Sequence, residues 1–302
     1  MSLQFVADGL LQGATIGLGA IGLTLTYSIL RFANFTHGDM ISWGTYFALS
    51  LAGLIGGLVA SAAAPLAPFS FSGAILLAGL IAMALTGLLA LALDWLLFRR
   101  LRRHGSAITM VIASFGASLA LRSLLEFLYT PEPLYFTREL QIAIPLGLGI
   151  RLTPDQLAVF AVSAALVLGM HLLLTRTHIG RAMRATSENP ALAQVAGIDT
   201  AAVVRVTWLI GGALACAAGV MIGLTIQIRP DMGFDQLLSL FAAVILGGIG
   251  SVPGAIAGGL IVGLAESTGV ILGAADYRAG ISFAVLIVVL LARPTGLFGL
   301  RE

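Results

Sequence analysis

Residues 72–98, SGAILLAGLIAMALTGLLALALDWLLF, form an apolar run in which Asp94 is the one charged residue. A transmembrane helix needs about 20 predominantly apolar residues, so this run is long enough to cross a bilayer. Four arginines follow it directly: Arg99, Arg100, Arg102 and Arg103. The stretch therefore predicts a membrane helix that ends at a basic loop.

The rest of the chain has the same membrane-like composition. Of its 302 residues, 59% are hydrophobic and only 10% are charged, which excludes a soluble domain and predicts several bilayer spans. Windows of spanning length place them at 5–30, 40–62, 72–98, 107–129, 156–175, 203–225, 254–273 and 278–292. The shorter apolar segment 237–250 is either a re-entrant half-helix or a short span. We predict one all-α polytopic membrane domain over 1–302 with eight or nine transmembrane helices, some broken or re-entrant.

The arginines orient these spans. All sixteen basic residues are arginine, and basic residues are enriched in cytoplasmic loops. The loop after 72–98, the polar stretch 175–205 and the segment from Arg293 to Arg301 therefore belong on the cytoplasmic side, so the carboxyl terminus is expected in the cytoplasm and the amino terminus outside. The opposite loops have fewer arginines than carboxylates, the arginines being Arg138, Arg151 and Arg229. Because Arg205 and Arg293 lie on one side, segment 237–250 must cross in some form, which favours nine crossings.

Within the polar stretch, ENPALAQVAGI (188–198) carries the signals of a short helix. Asn189 can cap it, Pro190 fits its first turn and Gly197 can end it. A helix of about two turns does not persist alone in water, so it needs a partner surface. The alternative is an ordinary cytoplasmic loop that is arginine-rich only through the positive-inside tendency.

The sequence RFANFTHGD (31–39) concentrates polar residues between two spans, including Asn34, His37, Gly38 and Asp39. Polar groups next to hydrocarbon usually line protein-buried or water-filled space, which predicts a translocation pathway or gate. The alternative is a tight turn in which Asn34 caps, Gly38 breaks the helix and Asp39 caps the next span. A break in the first span near 17–22 would favour the pathway.

Several ionisable residues lie inside the spans. Arg122 and Glu126 are four residues apart, which predicts an ion pair on one helix face. We expect Asp94 to meet the cytoplasmic arginines. Glu266 has no basic residue one turn away, so either a partner across the bundle or dimer interface or a wet translocation cavity must satisfy it.

The glycine-rich sequence GGIGSVPGAIAGG (247–259) predicts a break between two membrane helices, with Gly247, Gly248 and Gly250 at the break. Discontinuous helices expose backbone dipoles that can face a substrate carboxylate. The alternative is a compact turn. We hypothesise that this break and the loop 34–39 both border the central path.

The residue inventory argues against chemistry within this chain. A P-loop needs a lysine, and the chain has none, so ATP hydrolysis must occur elsewhere. The four histidines are scattered and there is one cysteine, Cys216, so we expect no metal site, no cofactor and no catalytic residue.

The stretch GRAMRATSENPALAQVAGID (180–199) resembles the cytoplasmic coupling loop of ABC-importer permeases, specifically the LivH type of the branched-chain, hydrophobic amino-acid importers. Three further segments resemble this family in the same order: SILRFANFTHGDMISWGTYFA (28–48), ILGGIGSVPGAIAGGLIVGLAES (245–267) and RPTGLFG (293–299). The resemblance implies that a coupling loop at about 176–203 holds a helix that sits in a groove of an ATPase subunit, formed or bordered by Glu188, Asn189, Pro190, Ala193 and Gly197.

The resemblance also implies the partners. The family's permeases pair in the bacterial inner membrane. The resemblance implies a heterodimer with a longer homologue, and the residues of this chain leave a homodimer open. Two cytoplasmic ATP-binding subunits dock below and a periplasmic substrate-binding protein delivers the amino acid above. Membrane lipid surrounds the chain, and no nucleic acid partner is expected.

An autonomous secondary transporter or channel for a small polar solute, such as urea or an amide, remains the alternative. It would use the same polar turns but would need no docking helix. A structural scaffold would leave Glu266 and the cluster 34–39 without a purpose. The sequence does not distinguish leucine from other amino acids, urea or amides, because specificity in the resembled family lies largely in the binding protein.

Overall fold

The structure is a computed structural model that describes residues 3–137, 139, 141–147, 149–273, 277–293 and 296–298. Arg138 and Arg301, which the orientation argument counts, lie outside these residues, as do parts of segment 293–299. The architecture is helical, as predicted. The helices are α1 (Gln4–Leu30), α2 (Thr36–Leu58), α3 (Ala60–Ala63), α4 (Gly73–Leu93), α5 (Arg99–His104), α6 (Ala107–Leu128), α7 (Pro154–Arg176), α8 (His178–Glu188), α9 (Pro190–Val195), α10 (Thr200–Thr225), α11 (Met232–Gly247), α12 (Val252–Ile271) and α13 (Arg278–Ala292).

Seven helical stretches are long and apolar enough to cross a membrane, namely α1, α2, Gly73–Arg102, α6, α7, α10 and α12. Two shorter apolar helices, α11 and α13, fall below that length, so nine crossings stay a prediction. With 16 residues, α11 is about 24 Å long, less than the roughly 30 Å of a hydrocarbon core. This short helix contains most of the segment 237–250.

The stretch 72–98 and the arginines that follow it form one continuous helix from Gly73 to His104. A π-helical turn, Asp94–Phe98, joins α4 to α5. Asp94 Oδ1 lies 2.6 Å from Arg102 Nη1, so the prediction that Asp94 meets the basic loop is confirmed. The ion pair neutralises a carboxylate at the rim of the apolar span.

The most extensive helix packing joins α1 to α12, which run antiparallel. A Cβ placed on Gly13 would lie 2.7 Å from Leu260 Cα, and one on Gly9 would lie 2.9 Å from Leu264 Cα. Only glycine permits this backbone approach, which is how small residues hold membrane helices together. Helix α1 continues through 17–22 without the break that would have favoured a deeper loop.

Helix α10, like α1, is largely buried in the bundle, and it packs against α1, α2 and α4. Its Trp208 is fully buried and stacks on Phe98, with ring centroids 5.2 Å apart. Helices α6, α7 and α13 lie at the periphery and expose many apolar side chains, such as Phe127, Leu168 and Leu291, as lipid-facing helices do.

The two ends of the bundle differ in charge. Arg99, Arg102 and Arg205 border one cavity at the end where α5 stops and α10 begins, and Arg31 contacts the backbone of Ser187 at the same end. We call this the basic end. At the opposite end, loops pack around Asp155, whose carboxylate accepts hydrogen bonds from the backbone of Ser70 at 3.0 Å and from Gln141 at 3.0 Å.

A small hairpin also lies at the opposite end. Strand β1 (Ile144–Gly147) pairs antiparallel with β2 (Ile150–Leu152). Sequence analysis gave no strand here. The hairpin lies outside the helical bundle. It contacts the amino-terminal end of α1, where Gln4 accepts a hydrogen bond from the Arg151 backbone at 2.7 Å.

Candidate functional site

The segment between α1 and α2 is folded into the protein. Helix α1 ends at Leu30, and Arg31 adopts a left-handed conformation with φ of 59°. Asn34 is fully buried, and its Oδ1 accepts hydrogen bonds from the Thr36 backbone at 3.2 Å and the Thr36 hydroxyl at 2.6 Å. Asn34 therefore orders the turn before α2, but the N-cap residue of α2 is Phe35 and not Asn34 as the turn alternative predicted.

The other part of that turn alternative is wrong. Gly38 and Asp39 lie inside α2 rather than at a break or a cap. Gly38 packs against Leu237 of α11, which requires a residue without a side chain. Helix α2 starts earlier than expected because hydrogen bonds within the buried turn at 34–36 already satisfy its first amide groups.

His37 is also fully buried, against the glycine-rich part of α1. Its Nε2 lies 3.0 Å from the carbonyl oxygen of Gly19. A Cβ on Gly22 would lie 2.8 Å from the imidazole ring, so the glycine makes the space that the ring occupies. His37 thus ties α2 to α1.

Asp39 is buried and forms an ion pair with Arg122. Its carboxylate accepts a hydrogen bond from Ser118, and its Oδ1 lies 3.4 Å from Arg122 Nε. The guanidinium also lies over the ring of Phe234, 3.7 Å from its centroid. These contacts join α2, α6 and α11.

The predicted pair of Arg122 with Glu126 is therefore wrong. Glu126 is exposed on α6, whereas the Arg122 side chain is only 16% exposed and points into the bundle. A buried guanidinium needs a partner at the same depth, because a charge is costly in a low-dielectric interior. Asp39 meets that requirement, and Glu126 can be solvated at the surface.

Glu266 is buried inside the bundle and is held by donors from three helices. Its side chain accepts hydrogen bonds from Gln12 of α1, from Ser282 of α13 and from Ser239 of α11, the last at 2.6 Å. The expected partners across the bundle are present, although all three are neutral. Glu266 also borders a cavity, and a translocation role for that cavity stays a prediction.

That cavity has a volume of about 590 Å³ and lies between α1, α10, α11, α12 and α13 at the opposite end. Its charged lining residues are Arg229, Asp235, Glu266 and Arg278. Ile222, Ile226, Met232 and Leu238 supply apolar lining. The cavity therefore combines both signs of charge with an aliphatic wall.

Among the residues that line this cavity, none comes from 34–39 or from 247–250. Asn34, His37, Gly38 and Asp39 lie in packing contacts instead. A gating role for these four residues stays a prediction.

The break between α11 and α12 lies where the glycines predict it. Gly248 and Gly250 have φ of 94° and 89°, in the left-handed region that favours glycine. The Gly250 amide donates to the Thr24 hydroxyl at 2.9 Å, and Ser251 caps α12. Gly247 packs directly on the backbone of Gly254, so the break is also a compact turn. Whether it borders the path stays a prediction.

The predicted short helix is α9, and its local signals act as expected. The Asn189 side chain accepts a hydrogen bond from the Leu192 amide at 3.0 Å, Pro190 is the first helical residue, and Gly197 has φ of 84°. Glu188 ends the preceding helix, α8.

The two faces of α9 differ sharply. Leu192 and Val195 are 64% and 87% exposed, whereas Ala193 is only 3% exposed. Ala193 therefore contacts its own chain, and the apolar docking contacts of α9 would come from its large exposed side chains, Leu192 and Val195. Glu188, Asn189, Pro190 and Gly197 are also exposed. Sequence reasoning could not assign these faces, because the helix is too short for a hydrophobic period.

The loop that carries α9 is fastened to the bundle at both ends. The Arg31 guanidinium donates to the Ser187 carbonyl oxygen just before α9. After α9, Asp199 caps α10 by accepting from the Ala202 amide at 3.0 Å. A displacement of α9 would therefore reach α1 and α10 through direct contacts.

Sequence reasoning missed several residues around the Glu266 cavity. Gln12, Ser239 and Ser282 are small polar residues in separate apolar helices, and nothing in their local sequence connects them. Arg278 carried a usable signal, since it begins a helix, where a cation is unfavourable.

Comparison with known proteins gives consistent results. A family model described as the permease component of the branched-chain amino acid transport system matches residues 5–290. The chain is 32% identical to the high-affinity branched-chain amino acid transport system permease protein BraD of Pseudomonas aeruginosa and to LivH of Escherichia coli K12, in each case over 99% of this chain and 96% of the relative. A solved structure, PsaBC from Streptococcus pneumoniae in complex with Fab, aligns with a TM-score of 0.49 and 14% identity over 96% of this chain and 92% of that one.

Proposed function

Because the chain belongs to the family of branched-chain amino acid transport permease components, we propose that it is the membrane-spanning permease subunit of an ABC importer. Its substrates are branched-chain or related hydrophobic amino acids, in line with the names of relatives that are 32% identical. Those names describe one component of a transport system. This favours a multi-subunit importer over a channel or transporter that acts alone.

The observation that carries the proposal is the exposed apolar face of α9. Leu192 and Val195 project from a short helix at the basic end, where nothing within the described chain covers them. An apolar face on a helix of this length fits a partner groove. An ATP-binding subunit is the partner proposed here, because this chain has no lysine for a P-loop and must obtain its energy from another chain.

The contacts around α9 suggest how a partner's movement reaches the membrane. Ala193 rests on the bundle, and Arg31 links Ser187 to the end of α1. The segment 34–39 follows directly, and the break at 247–250 contacts α1 through Thr24. We assign these two segments to the gate, which would open and close as α9 moves with the ATP-binding subunit.

The proposed assembly places the partners at the two ends of the bundle. The basic end and the carboxyl terminus face the cytoplasm of a bacterial cell, because arginines collect on that side of an inner membrane. Two ATP-binding subunits dock there, and a periplasmic substrate-binding protein docks at the opposite end. A second permease, a longer homologue, completes the membrane part. This chain itself is expected to catalyse no reaction.

The test is affinity co-purification from cells that co-express the chain with its proposed partners. Val195→Arg places a charge on the exposed face of α9, so we expect the ATP-binding subunits to be lost while the permease pair stays intact. Val195 is a better site for this change than Ala193, since a charge at the buried Ala193 would disturb the fold.

Leu272→Arg is the matched control, because Leu272 is 74% exposed and lies at the end of α12 away from α9. This variant should retain the ATP-binding subunits. If the wild-type chain recovers no ATP-binding subunit and transports solute alone in liposomes, the importer assignment is wrong.

A further inference from the structure

We propose that the cavity beside Glu266 binds a zwitterionic α-amino acid, with Glu266 accepting from its ammonium group and Arg278 donating to its carboxylate. This inference rests on the proposed function and adds the site and the recognition chemistry. The cavity volume of about 590 Å³ suits a small ligand with some water, since ligand pockets measure roughly 300–1,000 Å³.

Glu266 is prepared for a cation. Its oxygens accept from Gln12, Ser239 and Ser282, and a carboxylate offers about four lone-pair positions. One position therefore remains for another donor. Among the described residues Glu266 makes no ion pair within 4.0 Å, so its direct hydrogen-bond partners are neutral and leave a place for an ammonium group.

Arg278 lines the same cavity as Glu266. It is the first residue of α13, and Ser282, one turn later on the same face, contacts Glu266. The helix dipole disfavours a cation at this position, so helix stability does not explain the arginine. A guanidinium binds a carboxylate through two parallel hydrogen bonds, which suits the α-carboxylate of an amino acid.

The remaining charges of the cavity cancel. Arg229 Nη2 lies 3.0 Å from Asp235 Oδ2. Its Nε also lies 3.6 Å from Asp231 Oδ1, but Asp231 is not among the residues that line the cavity. Within the lining, Arg229 and Asp235 therefore add no net charge. Together with Glu266 and Arg278, the lining is neutral overall and fits a ligand that is neutral overall. The aliphatic lining, which includes Ile226 and Leu238, can then contact a branched side chain.

The test measures ligand binding to the complete transporter in lipid nanodiscs, with the substrate-binding protein omitted. Radiolabelled L-leucine is displaced by unlabelled leucine, by leucinamide, which lacks the carboxylate, and by 4-methylpentanoate, which lacks the ammonium group. We expect each analogue to bind wild type about tenfold or more weaker than leucine, because each loses a charge-assisted hydrogen bond.

Two variants make the assignment specific. Arg278→Gln should weaken leucine about tenfold and leave leucinamide unchanged, whereas Glu266→Gln should weaken leucine and leave 4-methylpentanoate unchanged. A merely structural role would weaken all three ligands together, and that result would overturn the inference. Arg151→Gln, an exposed arginine at the same end but outside the cavity, is the control and should bind like wild type.

Failure of this inference differs from failure of the proposed function. If the wild-type complex shows no saturable leucine binding but imports leucine when the binding protein is added, the cavity is not the site and the importer assignment stands. If the complete wild-type system imports no branched-chain amino acid, the proposed function fails and this inference fails with it.

Discussion

Asp39 and Glu266 are the two most deeply buried carboxylates among the described residues, and their surroundings contrast. Asp39 lies among α2, α6 and α11 and has a cation of its own, Arg122. Glu266 lies among α1, α11, α12 and α13, has only neutral donors and borders a cavity. The difference suggests two roles: Asp39, which the chain neutralises, serves the fold, whereas Glu266, which has only neutral donors, serves a ligand in the proposal made above.

The largest expected effect is on stability at the Asp39 region. Arg122→Leu leaves Asp39 buried without its cation, and removing one partner of a buried pair costs about 3–5 kcal/mol. We expect a large drop in the melting temperature of the purified chain in detergent, measured by intrinsic fluorescence.

Glu126→Gln is the control for that change, because sequence alone pairs Glu126 with Arg122. It should melt like wild type, since Glu126 is exposed. If Glu126→Gln and Arg122→Leu destabilise equally, the pairing with Asp39 is wrong and the local pair on α6 is right.

At Glu266 the expected effect moves from stability to transport. Glu266→Gln keeps hydrogen-bonding atoms for Gln12 and the two serines, so we expect a stability loss of only about 1 kcal/mol. Leucine uptake by the reconstituted transporter should fall roughly tenfold, because the charge-assisted contact is lost.

A large loss of stability on changing Glu266 would contradict the contrast between the two carboxylates. If Glu266→Gln unfolds the chain as Arg122→Leu does, Glu266 is a structural group like Asp39. Glu126→Gln, a matched change from carboxylate to amide, should leave uptake as in wild type.

The smallest effects concern the serines that serve each carboxylate. Ser118→Ala removes a donor to Asp39 and Ser282→Ala removes a donor to Glu266, each at about 1 kcal/mol of stability. Melting temperatures should fall by similar small amounts. Leucine uptake should fall only for Ser282→Ala. An equal loss of uptake in both variants would contradict the different roles assigned to Asp39 and Glu266.

What could be predicted from the sequence was local. The spans follow from hydropathy because each apolar run must itself cross the membrane. Helix α9 follows from Asn189, Pro190 and Gly197, which act on their own neighbours. The same is true of the break at Gly248 and Gly250.

What could not be predicted depends on partners distant in the chain. Arg122 meets Asp39, 83 residues away, and the nearer Glu126 was chosen only for its spacing. The donors to Glu266 come from α1, α11 and α13, so the cavity exists only once the bundle is assembled. The buried face of Ala193 likewise depends on where α9 rests against its own chain.

The most direct test of the importer assignment is transport in liposomes that contain this chain, its second permease and the two ATP-binding subunits. Leucine-loaded binding protein is added on the side of the opposite end, and ATP is supplied only on the side of the basic end. We predict that radiolabelled leucine accumulates on the basic side with ATP and not with a non-hydrolysable analogue. Equal uptake without ATP, or uptake by this chain alone, would contradict the assignment.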